Sequence, residues 1–244
     1  MEIYLNRIDG LDDAIISMYL SKRTLTRELE CAIRKEVNMC SNNVFADGRP
    51  IGALVAKTER LDDWLKKLFK WCPKHITMGR FLDFSFTVYG LHRAGQDDLD
   101  SHAKRMENRI IRSSTRLADF SQGEQSSYYE GKIIPTDVAL AVLGIVVPDE
   151  LEYNGQTYVK GVNGYILKGM EDNKDVKRGL YMLSIPSNFI FKINLTEFAH
   201  VYKERNRNGT ANPEVKDCIE SGTDQIEEAS WGYINRPLLL EIKN

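Results

Sequence analysis

Segments with helical patterns alternate irregularly along this chain with strand-like segments, and this mixture limits the folds open to it. Residues 81–90 alternate aromatic, β-branched and polar side chains as strands do, and residues 185–193 are also strand-like. Apolar residues recur instead at helical spacing over residues 15–37, 61–71, 196–204 and 213–228. Because the two types form no regular series, the sequence predicts a mixed α/β or α+β domain.

Several shorter segments carry their own local signals. The clearest is Asn154-Gly155, which lies between strand-forming residues and predicts a hairpin, because both turn positions need positive φ. The apolar run 137–147 fits either a buried helix or a strand, since periodicity does not separate the two over so short a length. Residues 167–183 predict helical segments broken near Asn173, and a helix should follow the first aromatic strand and continue through His102.

Length and charge exclude some classes of protein. With 244 residues, of which 42% are hydrophobic, the chain can bury a sizeable core, and we expect one domain over residues 1–244. A net charge of −2 and a pI near 6.1 do not favour binding to nucleic acid, because such domains are usually basic. No apolar run approaches the roughly 20 residues that span a membrane. The N-terminus does not resemble a signal peptide, so we expect a cytoplasmic protein without a membrane partner.

The residue types that most often carry chemistry form few known motifs. The cysteines are far apart and form no C-x-x-C pair, so we expect reduced thiols and no zinc site. The histidines have no metal-ligand spacing, and we expect no metal catalysis. The sequence also lacks G-x-S-x-G, Walker and G-x-G-x-x-G motifs, which removes the main support for nucleophile-elbow hydrolases, P-loop enzymes and Rossmann proteins.

A set of basic residues between positions 102 and 116 recurs at steps of three and four. If the segment is helical, these residues share one face. A nearly neutral chain has no general need for such a face, so an anionic partner such as phosphate is one interpretation. The other is a solvated face paired with the nearby acids. The basic stripe consists of His102, Arg105, Arg109, Arg112 and Arg116, and the acids are Asp97, Asp98, Asp100 and Glu107.

In the C-terminal part of the chain, Arg178, an aromatic strand, Asn194 and Arg205 follow one another at a spacing that resembles a known family. This family is the flavin-dependent thymidylate synthases, also called ThyX. In that family an Ala-Arg pair opens a helix, an aromatic strand follows, and then come an Asn and a further Arg. Here Arg178, the strand 189–193, Asn194 and Arg205 reproduce that spacing without a gap. Lys177 stands where the family has the Ala.

The central part resembles the same family around its signature, R-H-R-x-x-S-x-N-E-x-S-x-R-Y. The family places a His, a phenylalanine-rich strand and an Arg before this signature, and the order is the same here. The S-x-R-Y end is matched after a short insertion. Together the two parts cover roughly residues 60–220. The central matches are, in chain order, His75, the strand 84–90, Arg93, His102, Asn108, Ser114 and Arg116.

The same signature also departs from the family at several positions. Ser101 and Ala103 replace the arginines on either side of the His. Met106 replaces the first Ser, Arg109 replaces the Glu, and Leu117 replaces the final Tyr. In the family, the arginines that are lost here reach both the nucleotide and the flavin. Ligand binding in this chain must therefore use a different geometry.

The resemblance implies two groups of ligand-binding residues. Those implied for the nucleotide dUMP are Ser114, Arg116, Arg178 and Arg205, of which Ser114, Arg116 and Arg205 are the candidate catalytic residues. Those implied for FAD and its surroundings are His75, His102, Asn108 and Asn194. The implied fold is a single ThyX-like domain with a central mixed sheet and long helices, assembled as a homotetramer.

The resemblance also implies a reaction, the reductive methylation of dUMP to dTMP. Methylenetetrahydrofolate would supply the carbon and NADPH would reduce the FAD. The altered signature leaves open a relative that makes another C5-modified pyrimidine nucleotide. It also leaves open a non-catalytic ThyX-like protein that binds a nucleotide or a phosphate.

Plain structural roles remain open for the individual residues. His75 follows a predicted helix and could cap its end. Asn194 could start the next helix. Arg178 and Arg205 have acidic neighbours, Asp175 and Glu204, and each could form a surface ion pair instead of binding a ligand.

Overall fold

The structure of the protein is a computed structural model. It describes residues 1–40, 43–44, 50–51, 57–100, 109–113, 126–161, 163–173, 176–177, 179–181, 183–207 and 212–242, with only the backbone at 43, 44, 50, 51, 109 and 207. The described helices are α1 (Leu11–Ser21), α2 (Arg27–Cys40), α3 (Glu59–Trp71), α4 (Arg93–Asp100), α5 (Thr136–Val142), α6 (Leu195–Arg207), α7 (Pro213–Ala229) and α8 (Arg236–Glu241). The described strands are β1 (Glu2–Asp9), β2 (Asn43–Val44), β3 (Pro50–Ile51), β4 (Asp83–His92), β5 (Arg109–Arg112), β6 (Glu150–Tyr153), β7 (Gln156–Gly161), β8 (Gly164–Leu167) and β9 (Pro186–Asn194).

This content confirms the α+β prediction. A four-stranded sheet has the order β1-β4-β9-β5, and β1 pairs with β4 in antiparallel register. The chain forms two compact units, so a single domain over the whole chain stays a prediction. The first unit comprises residues 1–89, 97–111 and 189–244, and the second comprises residues 90–96 and 112–188. No described helix is long and apolar enough to cross a lipid bilayer.

Phenylalanine rings form the centre of the first unit. Phe86 on β4 stacks on Phe191 of β9 at 5.0 Å and on Phe198 of α6 at 5.8 Å between ring centroids. Phe84 meets Phe198 edge to face at 5.6 Å. The alternation of residues 81–90 predicted this strand, and burial of its aromatic face against α6 supplies the hydrophobic stabilisation.

One of the predicted helices is divided in the structure. Residues 15–37 form two helices, α1 and α2, because Arg23 adopts a left-handed φ of 56° and Thr26 begins α2 by accepting a hydrogen bond from the Leu29 N–H at 3.2 Å.

Helix α7 begins with Pro213 in its first turn, as predicted, and Asn212 caps it. On its buried side, Gln225 of α7 hydrogen-bonds the backbone of β1.

The second unit contains a three-stranded antiparallel sheet of order β6-β7-β8. Asn154 and Gly155 join β6 to β7 with φ of 50° and 74°, which confirms the predicted hairpin. The run 137–147 proves to be helical only through Val142, where α5 ends.

One predicted helical region is wrong. Over residues 167–183, only 176–177 are helical among those described, because β8 runs through Leu167 and Gly169 turns the chain with φ of 91°. The helix expected after the first aromatic strand is present as α4, whereas residues 109–112 of the basic stripe form β5. His102, Arg105 and Arg116 lie outside the described residues. The β-branched pair Ile110-Ile111 favours a strand. Positions three apart fall on opposite faces of a strand, so the shared basic face is not formed there.

Candidate functional site

The structure describes part of the predicted site. Among the candidate residues, it places His75, Asn194 and Arg205. The remaining candidates lie outside the described residues, and their roles stay predictions. They are His102, Asn108, Ser114, Arg116 and Arg178.

Arg205 lies near the end of α6 and reaches the last turn of α4. Its Nη1 is 3.3 Å from Oδ2 of Asp98, and its Nη2 donates a hydrogen bond of 2.9 Å to the Asp98 carbonyl. The last four carbonyls of a helix have no partner within that helix, so the guanidinium also caps α4. The Arg205 side chain is only 19% exposed, compared with 36% for Asp98. This is a half-buried ion pair, and its acidic partner is distant in sequence.

One donor of Arg205 is left over. Its Nε is buried and has no hydrogen-bond partner among the residues that the structure describes. A buried N–H without a partner carries a free-energy cost of about 1–3 kcal/mol. An oxygen atom of a bound ligand that accepted a hydrogen bond from this N–H would remove the cost.

Helix α6 is fixed at the end that carries Arg205. Asn206 donates a side-chain hydrogen bond to the Glu220 carboxylate of α7. Arg236 at the start of α8 reaches the same carboxylate, with Nη2 at 2.9 Å from Oε2. These contacts hold the last turn of α6 against its neighbours, so the guanidinium of Arg205 starts from a fixed backbone.

Asn194 lies at the other end of α6. Its Oδ1 accepts a hydrogen bond of 2.9 Å from the Glu197 N–H, and the residue is buried, so Asn194 caps the helix. Asn194 and Arg205 are separated by about 16 Å along the axis of α6, from the rise of about 1.5 Å per residue. The structure therefore places them on one rigid element without bringing their side chains together.

His75 follows α3 and is exposed. Its N–H donates to the carbonyls of Trp71 and Cys72 at 3.1 and 3.2 Å, which is the end-capping role considered from the sequence. Its ring also stacks on Trp71, with centroids 5.1 Å apart and planes 20° apart. Lys22 covers the Trp71 ring, with Nζ 3.8 Å from the centroid. His75 thus belongs to an aromatic and cationic surface stack.

A buried amide, which the sequence did not indicate, organises the start of α4. Nε2 of Gln96 donates to the Leu91 carbonyl at 2.7 Å and to the Ser187 Oγ at 2.7 Å. Arg112, a member of the basic stripe, donates from Nη2 to the Gln96 carbonyl at 3.2 Å. Arg112 therefore contacts the backbone of α4, which immediately precedes the signature segment. A single glutamine has no sequence signal for this role.

The second unit also holds the buried His92. Its ring stacks on Tyr128 with centroids 5.7 Å apart and meets Tyr129 edge to face at 4.9 Å. His92 is fully buried. Core packing is therefore its observed role.

A cavity of about 260 Å³ lies in the first unit. Leu65, Phe69 and Leu82 contribute to its apolar wall, and Asp9 and Asp12 also line it. His75, Asn194 and Arg205 are not among its lining residues. Among the described residues, no group of three or more His, Cys, Asp or Glu could hold a metal ion.

Comparisons of sequence and of structure give different results. No protein-family model matches the sequence, and no curated protein matches it. Solved structures do match the fold. A flavin-dependent thymidylate synthase ThyX from Helicobacter pylori, complexed with FAD and dUMP, is 12% identical, with 96% of this chain and 98% of that chain covered and a TM-score of 0.53. A second structure of ThyX from Helicobacter pylori with FAD and dUMP is 13% identical, with coverage of 98% and 100% and a TM-score of 0.50.

A third similar structure is a UMP/dUMP methylase PolB from Streptomyces cacaoi bound with 5-Br dUMP. It is 10% identical, with 95% of this chain and 92% of that chain covered and a TM-score of 0.49. The two ThyX structures are covered almost over their whole length, so the likeness is not confined to a common substructure. The chain therefore has the fold of the flavin-dependent thymidylate synthases, as the resemblance implied, in a strongly divergent sequence.

Proposed function

We propose that this protein is a flavin-dependent thymidylate synthase-like enzyme that binds a pyrimidine nucleotide. The observation that carries the proposal is the environment of Arg205. In a chain with the ThyX fold, this arginine stands at the position that the family spacing assigns to nucleotide binding. It is held by Asp98, and its buried Nε is left without a partner among the described residues.

The chemistry of the site suits arginine better than lysine. The guanidinium is always charged and presents its donors in a fixed fork, whereas an ammonium group is a point charge. When the pyrimidine ring is activated, negative charge develops on its oxygens, and a donor that is already positioned stabilises that charge without further reorganisation. Arg205 would donate to the ring or its substituents. Ser114, Arg116 and Arg178 would complete the nucleotide site.

Two of the residues implied for the flavin, His75 and Asn194, are described by the structure. The exposed imidazole of His75, stacked on Trp71, offers a flat surface of the kind that an aromatic ring system packs against. Asn194 already uses its oxygen to cap α6, so we assign it the role of fixing this helix. His75, with His102 and Asn108, would hold FAD. When bound, the flavin supplies hydride transfer, and the protein supplies placement.

In detail, the proposed reaction is the reductive methylation of dUMP to dTMP, with methylenetetrahydrofolate as carbon donor and NADPH as reductant of FAD. We place the protein in the cytoplasm. We propose a homotetramer, because the family builds its active sites between subunits. A relative that makes another C5-modified pyrimidine nucleotide would use the same Arg205 and the same flavin.

A specific observation supports a second candidate function. Ser101, Ala103 and Arg109 replace two signature arginines and the signature Glu. With those groups lost, the fold could retain a nucleotide or phosphate site and no longer hold the flavin. The second candidate is therefore a non-catalytic ThyX-like binding protein.

The absorbance spectrum of the purified protein distinguishes the two candidates. The near-ultraviolet and visible bands would be recorded before and after adding FAD and desalting. Retained flavin bands that NADPH bleaches and air restores would support the enzyme. Assays with dUMP and methylenetetrahydrofolate would follow. If no flavin is retained under either condition, the flavoenzyme proposal fails and the binding protein is preferred.

A further inference from the structure

The cavity in the first unit is not explained by the proposed function. Its volume is about 260 Å³, and none of the site residues that the structure describes lines it. Protein interiors are packed almost as densely as organic crystals, so voids much larger than a water molecule are few. An apolar cavity of about 150 Å³ is already enough to bind benzene, so this one can hold a small organic molecule.

Core residues from separate elements form the wall of this cavity. The apolar members include Leu11 of α1, Val37 of α2, Leu65 and Phe69 of α3, and Ile234 before α8, and each of these is at most 9% exposed. All of them belong to the first unit. Pockets that bind small molecules are lined in this way, mainly by apolar and aromatic side chains with a few polar groups.

Trp231 adds a second aromatic ring to the wall, in an unusual backbone conformation. It follows the end of α7 with a left-handed φ of 52°. Glycine is the usual residue at such a position, because a side chain is strained there. The indole is therefore present in spite of its backbone cost, and its place at the cavity wall gives it a use. Together with Phe69, it offers an aromatic surface to a bound ring or cation.

The charged residues that line the cavity are acidic. They are Asp9 at the end of β1 and Asp12 in the first turn of α1, and no lysine, arginine or histidine is among the described lining residues. Each uses Oδ2 for ion pairs with residues that do not line the cavity: Asp9 with Arg7 and Lys192, and Asp12 with Arg34. Oδ1 of each carboxylate has no ion-pair partner in the part of the chain that the structure describes. A carboxylate has about four acceptor sites, so each can accept a further hydrogen bond.

We propose that the cavity binds a small organic cation that carries an aromatic ring. The ring lies against the apolar wall, where Phe69 and Trp231 contact it, and the cationic group is held by Asp9 and Asp12. An anion would be repelled by the two carboxylates, and a neutral apolar molecule would leave them unused. This site goes beyond the proposed function, because none of the described nucleotide or flavin residues takes part in it.

Calorimetric titration of the full chain with tryptamine tests the proposal. Tryptamine joins an indole ring to an ammonium group, and indole-3-acetate joins the same ring to a carboxylate, so the pair isolates the effect of charge. We expect tryptamine to bind at least about 10-fold more tightly than indole-3-acetate. Asp12→Asn should weaken tryptamine binding by roughly 10-fold or more, the effect of losing a hydrogen bond to a charged group.

Asp13→Asn is the matched control. Asp13 pairs with the same Arg34, at 3.1 Å, but does not line the cavity, so the affinity for tryptamine should stay at the wild-type value. Ala229→Leu tests the cavity itself, because the larger side chain takes up part of its volume and should remove binding. If that variant is misfolded by circular dichroism, Asp9→Asn carries the test and should weaken binding as Asp12→Asn does.

A wild type that does not bind tryptamine at millimolar concentrations overturns the proposal. So does equal affinity for tryptamine and indole-3-acetate, or an equal loss of affinity in Asp12→Asn and Asp13→Asn. Flavin retention and dUMP binding should be unchanged in all these variants. Failure of the cavity site is therefore distinguishable from failure of the proposed enzymatic function.

Discussion

Arg205 and Asp98 join the last turn of α6 to the last turn of α4 through two separate contacts. The guanidinium meets the Asp98 carboxylate at 3.3 Å and the Asp98 carbonyl at 2.9 Å. These contacts order the long side chain before any ligand arrives. Part of the conformational entropy that a ligand would otherwise have to restrict is therefore already lost in the free protein. The segment that follows α4 begins at this anchored point.

Arg205→Ala should weaken binding of dUMP by about 1.5–3 kcal/mol, the range for a hydrogen bond to a charged group. Arg205→Lys should recover little, because an ammonium group cannot reproduce the fixed fork. Calorimetric titration measures both. Arg27→Ala is the matched control, since Arg27 is exposed at the start of α2. Unchanged affinity in Arg205→Ala would remove Arg205 from the nucleotide site.

Asp98→Asn should have a smaller effect than Arg205→Ala. The substitution removes the carboxylate charge but keeps the carbonyl that accepts from Nη2. We expect dUMP affinity to fall by about 1 kcal/mol, the typical net value of one hydrogen bond. Asp97→Asn, at the exposed neighbouring position, should leave affinity as it is. A loss at Asp98 as large as that of Arg205→Ala would show that Asp98 itself contacts the ligand.

Gly10→Ala should destabilise the protein far more than Gly155→Ala. Both glycines have positive φ, 75° and 74°, and share the backbone penalty of about 1–2 kcal/mol. A Cβ at Gly10 would lie 1.9 Å from the Phe81 carbonyl oxygen, whereas a Cβ at Gly155 would meet nothing within 4 Å. Chemical denaturation of the two variants measures the difference. Equal losses would mean that the backbone around Gly10 moves aside without cost.

Asp62 should make stability depend on pH in the acid range. Hydrogen bonds from Lys57, Lys66 and Tyr233 hold the pKa of Asp62 well below its usual range. A carboxyl group whose pKa is lower in the folded state stabilises the fold above its unfolded pKa, which is about 3.9. That stabilisation is lost as pH falls through the folded value. The melting temperature of the wild type should therefore exceed that of Asp62→Asn near neutral pH, and the difference should shrink below about pH 4.

A difference in melting temperature that stays constant down to the lowest accessible pH would contradict this prediction. Tyr233→Phe offers a check on the cause, because it removes one of the donors to Asp62 and leaves both lysines. The pH dependence should become weaker in that variant and should not disappear.

The parts of the fold that depend on local rules were predictable from the sequence. The hairpin at Asn154-Gly155 follows from two residues that adopt positive φ at little cost, and no distant contact is needed to specify it. Residues 109–112 of the basic stripe form a strand, because helical spacing is a weak signal beside strand pairing. Residues 109–112 lie at the edge of the sheet next to β9. That pairing depends on tertiary structure, which local sequence spacing does not reveal.

The sequence nominates residues for the candidate site, but it does not indicate the partners that the structure gives them. Asn194 and Arg205 could be chosen by spacing, and the structure gives both a defined place. Asp98 was considered only as a neighbour of the basic stripe, whereas it meets Arg205 across 107 positions of sequence. The aromatic rings that bury His92 likewise come from a separate segment. Contacts of this kind are determined by tertiary packing, and the periodicity of the sequence carries no information about them.

The cap that Asn194 places on α6 has a consequence for what evolution can change between the two residues. Each residue of a helix is rotated by about 100° about the helix axis relative to the residue before it, so a fixed start determines the direction of every later side chain. Deleting one residue between Asn194 and Arg205 would swing the guanidinium by that angle and point it away from Asp98. The side chains on the outer face of α6 can vary freely, but the number of residues between Asn194 and Arg205 must stay the same. The number of residues in the helix therefore determines the direction in which the Arg205 guanidinium points.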